Sequence, residues 1–274
     1  MKVAITGATG FVGRSLAKII KNKNLKLIRT YNNTKPLSKK NKHLKLDINK
    51  KNVDYYKYLQ KPDILIHLAW SNLDDFNHKN HLSKTLKAHK YFLSNLIKQG
   101  LSNLVVAGTC FEYGKKNGSL KEDCKTKPIL KYAIAKNNLR KFLFNLQKKY
   151  KFNLTWLRFF YIYGYNKNRK TLTNILIDSS KKKKIIIVNS LIKRDYLSVK
   201  NISKYISLLA LKRENLGIVN LCSGKSTSLK SLINILTKEY KIKPIVKYEH
   251  IKLRNYESNN FYGNNSKLNE ILNS

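Results

Sequence analysis

Thr6-Gly7-Ala8-Thr9-Gly10-Phe11-Val12-Gly13 lies between a short apolar run, Val3–Thr6, and a segment from Phe11 to Lys21 with apolar residues at helical spacing. The first reads as a strand and the second as a helix. Glycine at 7, 10 and 13 gives the spacing GxxGxxG. The first glycine permits a tight turn, the second lets backbone approach a ligand, and the third lets the helix pack close to the strand. The helix N-terminus that follows supplies N–H donors and a partial positive charge. A strand, this glycine loop and a helix in that order point to a pocket for the pyrophosphate of a dinucleotide.

The same alternation continues outward. Leu25–Tyr31, His43–Leu46, Asp63–Leu68, Leu104–Gly108 and Leu154–Phe159 read as strands, and His81–Gln99 and Tyr132–Tyr150 as long helices. Repeated βαβ units call for a parallel sheet with helices on both faces, a doubly wound Rossmann-type α/β fold. After about residue 160 the rhythm loosens. Thr171–Ser180, Asn201–Leu211 and Leu229–Glu239 read as helices, Ile185–Asn189 and Gly217–Leu221 as strands, and the tail from Lys241 is polar and tyrosine-bearing. Residues 1–160 are therefore expected to bind the dinucleotide. Residues 161–274 are expected to form a small substrate-binding lobe, with roughly 195–225 returning to the sheet.

Tyr132-Ala133-Ile134-Ala135-Lys136 opens the second long helix. Four residues apart is one helix face. A tyrosine hydroxyl is too weak an acid to exchange protons readily near neutrality, and an adjacent ammonium stabilises its phenolate. Thr109, at the end of the Leu104–Gly108 strand, is placed to donate to a substrate oxygen. Together the three can protonate a carbonyl oxygen while hydride reaches its carbon.

The cofactor's second ribose is read at the end of the second strand. An acid there normally holds the 2′-hydroxyl of NAD. Arg29, Thr30, Tyr31, Asn32, Asn33 and Lys35 include none. The cofactor is therefore read as NAD(P), with NADPH favoured. Asp47, at the end of the third strand, either accepts from the adenine amino group or caps the segment after it.

Composition limits the alternatives. The chain has 274 residues and a formal net charge of +41. Such a charge suits a polyanion. Yet 48 of the 56 basic residues are lysine, asparagine and isoleucine abound, and lysines are spread along nearly every helix. A/T-rich codons produce that profile without selection for a ligand, and the one dense run, Lys181 to Lys184, falls in an expected turn. Nucleic acid is accordingly not the expected partner. The three cysteines, Cys110, Cys124 and Cys222, form no CxxC pair and suggest neither zinc site nor disulfide framework. No stretch approaches the roughly 18 apolar residues of a membrane span, and the N-terminus lacks the unbroken apolar core of a signal peptide. A reduced, cytoplasmic setting away from the membrane is expected.

Taken together, TGATGFVG (6–13), Asp47, HLAW (67–70), GTCFEYG (108–114), YAIAK (132–136), LRFFYIYG (157–164), RDYLSV (194–199) and NLCSGKSTSL (220–229) resemble the extended short-chain dehydrogenase/reductases. More narrowly, they resemble the NAD-dependent epimerase/dehydratase branch that acts on nucleotide sugars. The resemblance implies Thr109, Tyr132 and Lys136 as the catalytic set. It implies cofactor contacts from Gly7, Thr9, Gly10, Phe11, Val12, Gly13, Asp47, Ile48, Leu68, Ala69, Tyr132 and Lys136. It implies substrate contacts from Trp70, Phe111, Glu112, Tyr161, Arg194 and Tyr196, with Arg194 on the nucleotide diphosphate. Glu112 and Tyr113 either line the pocket or pack the loop. The two long helices often pair across a homodimer in this family; Leu86, Leu93, Ile97, Leu139, Phe142 and Leu143 would serve such an interface or the core equally well.

The chain departs from the family pattern in two places. The 4,6-dehydratases follow the threonine with an Asp-Glu pair that carries out elimination; here those positions are Cys110 and Phe111, which cannot shuttle protons in that way. The asparagine usual in the LRxFNxYG motif is Tyr161. The expected activity is hydride transfer to C4 of a nucleotide-linked 4-keto-6-deoxy sugar, as in the reductases of such sugars. The alternatives are a 4-epimerase with tightly held NAD, and a non-catalytic nucleotide- or polyanion-binding protein.

Overall fold

Seven parallel strands form the central layer of the computed structural model, which describes residues 1–20, 25–36, 43–166 and 171–274. In chain order the first half contains β1 (Lys2–Thr6), α1 (Phe11–Ile19), β2 (Lys26–Tyr31), β3 (His43–Lys45), α2 (Tyr55–Tyr58), β4 (Ile64–His67) and α3 (Leu86–Lys98), with a π-helical stretch, His81–Thr85, leading into α3. It continues through β5 (Asn103–Thr109), β6 (Gly118–Leu120), α4 (Lys131–Gln147), β7 (Asn153–Phe159) and β8 (Tyr161–Tyr163). Then follow α5 (Leu172–Lys182), β9 (Ile185–Asn189), β10 (Lys193–Arg194), β11 (Tyr196–Ser198), α6 (Val199–Lys212), β12 (Gly217–Leu221), β13 (Thr227–Ser228), α7 (Leu229–Tyr240), β14 (Ile245–Glu249), β15 (Asn260–Gly263) and α8 (Ser266–Asn273).

The sheet order is β12-β7-β5-β4-β1-β2-β3. Both faces are covered, so its central strands are buried throughout and largely apolar rather than alternating. All four residues of β4 and all seven of β5 are buried. Ala4, Leu65, Val106 and Trp156 face α3 and α4 with Phe92, Leu96 and Leu139. Val3, Ile5, Ile66 and Leu157 face α1 and α6 with Leu16, Ile202 and Ile206. The order reverses between β1 and β4, and such a switch point opens a crevice at the strands' carboxyl ends.

The remaining strands form smaller sheets above that edge: β13-β10-β15-β6, β11-β8 and β14-β9. Leu176, Val188, Leu232, Ile233 and Leu236 fill a separate core between α5, α7 and β9. The chain does not simply divide near 160. α6 lies against α1, and β12 extends the main sheet beside β7.

Several expectations need adjustment. The polar tail after Lys241, to which the sequence reading assigned no elements, holds β14, β15 and α8. β15 takes its order from two distant partners, β10 and β6, which no local pattern announces. Leu86, Leu93, Ile97, Leu139 and Leu143 are spent on the chain's own core, leaving only Phe142 of the six half-buried. Lys181 and Lys182 close α5, Lys183 caps it in the left-handed conformation, and the run is exposed. Lys21 lies outside the described residues. No helix among the described residues is long and apolar enough to cross a membrane.

Candidate active site

The glycine loop forms a cradle where β1 meets α1. Gly7 has φ +69°, and its carbonyl accepts the amide hydrogen of Gly10 at 2.9 Å. A Cβ on Gly13 would collide with the Gly7 carbonyl oxygen, and one on Gly7 would sit 2.9 Å from the Ala69 nitrogen. α1 begins with no side-chain cap and no acid in its first turn. Its first N–H groups are therefore left for an anion, which fits a pyrophosphate.

The cradle floors a cleft of about 680 Å³ at the carboxyl edge of the sheet. Gly7, Thr9, Gly10, Phe11, Val12, Gly13, Ile48, Leu68 and Ala69 line it. Asp47 stands beside this wall rather than on it, although Leu46, Ile48 and Asn49 line it. Its carboxylate accepts from the Asn49 amide at 3.0 Å and from Asn49 Nδ2 at 2.8 Å, and those bonds lower its pKa. It caps no helix either; Asp54 does so for α2, accepting from Lys57 N at 2.9 Å. Thr30, Tyr31, Asn32, Asn33 and Thr34 form the far end of the cleft, where neither Arg29 nor Lys35 lines it.

Thr109, Tyr132 and Lys136 line the other end. Thr109 Oγ1 accepts from Phe111 N at 3.3 Å, which leaves its hydroxyl hydrogen to donate into the cleft. The Tyr132 ring is held on three sides: stacked on Phe76 with centroids 5.2 Å apart, edge-on to Trp70 at 5.9 Å, and tilted against His81 at 5.5 Å. The Tyr132 amide also donates to the Phe76 carbonyl at 2.9 Å. Lys136 is 1 % exposed. Its Nζ donates to the Ala107 carbonyl at 2.7 Å and stands 3.9 Å from the centre of the Trp70 ring. Burial brings its pKa down to about 7, opposed by the charge of Glu112. The carbonyl and the indole face both favour the ammonium form.

Three residues expected on the substrate side are placed otherwise. Glu112 is fully buried and does not line the cleft. Its Oε1 accepts from the Thr109 amide at 3.0 Å and from Trp156 Nε1 at 2.9 Å, and its Oε2 accepts from Arg158 Nε at 3.1 Å and lies 3.4 Å from Arg140 Nε. A carboxylate with those partners packs the loop and has no oxygen left for a ligand. Arg194 is 2 % exposed. Its Nη1 donates to the carbonyls of Lys193, Ser258 and Asn259, and its Nε to the Tyr161 hydroxyl at 3.1 Å. It ties β10 to the segment before β15 instead of facing a diphosphate. Tyr196 packs edge-on to Tyr161, 5.8 Å between centroids, and is also off the wall. Trp70, Phe111 and Tyr161 do line the cleft.

The sequence reading missed part of this wall. Phe76 stacks on Tyr132 and tilts against Phe111 at 5.6 Å, and Phe111 meets Tyr161 edge-on at 5.8 Å. An apolar surface thus runs from the Tyr132 ring outward. Thr85 and His89 also reach the cleft. Their spacing of four on one helix face was the available signal. Asp195 went unnoticed too: it is buried and accepts from the amides of Ser223, Gly224 and Gly263, fastening the lobe's turns. Among the described residues, Lys136 is the one charged side chain that lines the cleft, and no carboxylate does.

The chain is similar to known proteins over most of its length. The profile of the NAD dependent epimerase/dehydratase family matches residues 3–222. A dTDP-6-deoxy-L-talose 4-dehydrogenase (NAD(+)) of Aggregatibacter actinomycetemcomitans is 33% identical over 275 residues, covering 96% of this chain and 99% of that protein. A GDP-6-deoxy-D-talose 4-dehydrogenase of the same organism is 24% identical, covering 99% of this chain and 91% of its own length. The fold is that of the UDP-glucuronic acid 4-epimerase of Bacillus cereus, solved with UDP-glucuronic acid and NAD: TM-score 0.82 and 19% identity, over 100% of this chain and 93% of that one. With the family match spanning the glycine cradle, the Tyr132–Lys136 helix and β12, the chain belongs to the NAD dependent epimerase/dehydratase family.

Proposed function

We propose that this chain is an NAD(P)-dependent reductase/dehydrogenase acting at C4 of a nucleotide-linked 4-keto-6-deoxy sugar. The observation that carries it is a cleft with Thr109, Tyr132 and Lys136 on one wall and no carboxylate among its described lining. Elimination needs a separate acid and base near the sugar carbon, whereas carbonyl reduction needs one proton. Tyr132 gives that proton to the C4 oxygen, Thr109 donates a hydrogen bond to the same oxygen, and the Lys136 ammonium stabilises the phenolate left behind. The dinucleotide, when bound, supplies the hydride to C4. The apolar wall of Phe76, Phe111 and Tyr161 suits a sugar bearing a methyl group at C6, and the talose dehydrogenase relative supports the same substrate class.

NADPH is the favoured reductant in this reading, because the ribose end of the cleft carries no carboxylate to repel a 2′-phosphate. The relative's name specifies NAD(+), so both forms belong in the assay. The setting is cytoplasmic, where the three free thiols stay reduced. The chain pairs as a homodimer through the outer faces of α3 and α4, where Tyr91, Phe142 and Phe144 remain at least partly exposed.

The test is incubation with NADH or NADPH and a panel of dTDP-, GDP- and CDP-linked 4-keto-6-deoxy sugars. Loss of reduced-nicotinamide absorbance is followed, and the product is identified by NMR. A hydroxyl at C4 is expected. Absence of turnover across the panel sinks the proposal. Stoichiometric NAD released on denaturing the purified protein, with no net reduction, would instead favour the 4-epimerase.

A further inference from the structure

Behind the Tyr132–Lys136 wall lies a chain of buried hydrogen bonds that the proposed reaction does not use. Thr6 Oγ1 is 2.8 Å from His67 Nδ1, and His67 Nε2 is 2.7 Å from His89 Nδ1. Thr6 and His67 are fully buried and His89 is 2 % exposed. His89 stacks on Trp70, centroids 4.3 Å apart, and lines the cleft. Trp70 is itself fixed: its Nε1–H donates to His81 Nδ1 at 3.1 Å, so His81 carries its hydrogen on Nε2 and donates to the Asp75 carbonyl at 2.9 Å.

The direction of the Thr6–His67–His89 chain follows from counting donors. Thr6 Oγ1 already accepts the Ala69 amide at 3.4 Å. The His67 nitrogen is the acceptor within reach of its buried hydroxyl hydrogen. Were His67 to donate to Thr6 instead, that hydrogen would be buried without a partner, at a cost of about 1–3 kcal/mol. Thr6 therefore donates to His67 Nδ1, and His67 donates from Nε2 to His89 Nδ1. His89, neutral with Nδ1 accepting, carries its hydrogen on Nε2. His89 lines the cleft, and its hydrogen bond within the described residues is made through Nδ1. Nε2 is not among the buried side-chain nitrogens and oxygens there that lack a hydrogen-bond partner, which are Arg14 Nη1 and Arg140 Nε; it is therefore open to the cleft.

We infer that His89 is a hydrogen-bond donor to the bound dinucleotide, its Nε2–H aimed into the cleft by bonds running back through His67 to Thr6. This rests on the cleft being the dinucleotide site. The partner is an oxygen of the cofactor's nicotinamide-side ribose-phosphate. The chain starts at Thr6, next to the glycine cradle, and ends on a ring stacked against the indole that carries the Lys136 ammonium. A neutral N–H donor between those two points serves an oxygen acceptor and not an amino group. Burial holds both imidazoles neutral, with the Lys136 charge adding to the effect: His67 is brought down to about 3, and His89 well below its usual value.

The full chain labelled with ¹⁵N-histidine tests this by long-range proton–nitrogen correlation, with His89→Gln assigning the His89 signals. His67 and His89 are both expected as Nε2–H tautomers, and saturating NADPH or NADH should shift the His89 ring while leaving exposed His250 unmoved. A hydrogen on Nδ1 of either ring, or a His89 signal indifferent to bound cofactor, overturns the inference. Cofactor affinity, read by reduced-nicotinamide fluorescence without sugar, gives a second measure. His89→Phe should weaken binding about three- to tenfold, and His89→Gln, which keeps a donor, by less than about twofold. Equal losses, or none with phenylalanine, overturn the assignment while leaving the proposed reaction standing. A wild-type protein that binds neither dinucleotide overturns both.

Discussion

Thr109 and Glu112 hold one another across a single turn: the Thr109 amide donates to Glu112 Oε1 at 3.0 Å, and Thr109 Oγ1 accepts from the amide of Phe111, the residue before Glu112, at 3.3 Å. The same carboxylate receives Arg158 at 3.1 Å with both side chains buried. A threonine that must meet a substrate oxygen is thereby anchored to the core.

Glu112→Gln keeps an oxygen for the Thr109 amide but removes the charge opposite Arg158. Losing one partner of a buried pair costs about 3–5 kcal/mol. The urea unfolding midpoint should fall accordingly. An unchanged midpoint would show that this carboxylate does not bear on stability.

Tyr132→Phe removes the proton donor and leaves the ring that packs on Phe76. The catalytic rate should fall about 10²- to 10⁴-fold, with cofactor affinity unaltered. Thr109→Val should cost about 10²- to 10³-fold. Rapid turnover by Tyr132→Phe would remove the tyrosine from the chemistry.

Lys136 links stability to pH. Its pKa is about 7 in the fold, against 10.5 as the ordinary value. Between those limits the unfolded chain holds a proton that the folded chain lacks, so stability rises with pH. The gain is up to about 1.4 kcal/mol per unit and levels off above the unfolded pKa. In the cofactor-free protein, Lys136→Met should abolish this part of the slope. Denaturation series on both proteins, from about pH 7 to about pH 10, would check it; parallel curves would contradict it.

Asn32 lines the ribose end of the cleft and is exposed. Asn32→Asp introduces the carboxylate that the second strand lacks. It should move the ratio of kcat/KM for NADPH over NADH downward by at least about tenfold, the equivalent of about 1.4 kcal/mol. An unmoved ratio would place the 2′ position elsewhere.

Much of the fold was legible because its signals are local. GxxGxxG between a strand and a helix, and Tyr132 four residues before Lys136, need no distant partner to be read. The apolar runs Ile64–Ile66 and Leu104–Ala107 within β4 and β5 announced a sheet covered on both faces. What escaped depends on long-range placement. β15 is ordered by β10 and β6. Arg194 looked like a ligand for phosphate, but the carbonyls that claim it lie some sixty residues away. Glu112 was half legible, since a threonine three residues before a glutamate is a capping pattern; its commitment to Arg158 and Trp156 appears only once β7 lies beside β5. The His67–His89 pair was invisible for the same reason, being joined across β4 and α3.

Arginine occupies eight positions among the 56 basic residues, and most of the described ones are withdrawn from solvent. Arg158 spans Glu112 and the Glu122 carbonyl, Arg194 gathers three carbonyls, Arg140 reaches Asn137, and Arg14 reaches Asn166. Arg158 and Arg194 each use a planar fork with several fixed donors, which a single ammonium cannot reproduce. Whatever filled the surface of this chain with lysine did not reach these sites. The rarer cation therefore works as an internal record of which positive charges are interchangeable and which are not. Exchanging surface lysines for arginine should be tolerated freely, whereas the reverse exchange should be felt at the Thr109–Glu112 turn for Arg158 and in the lobe for Arg194.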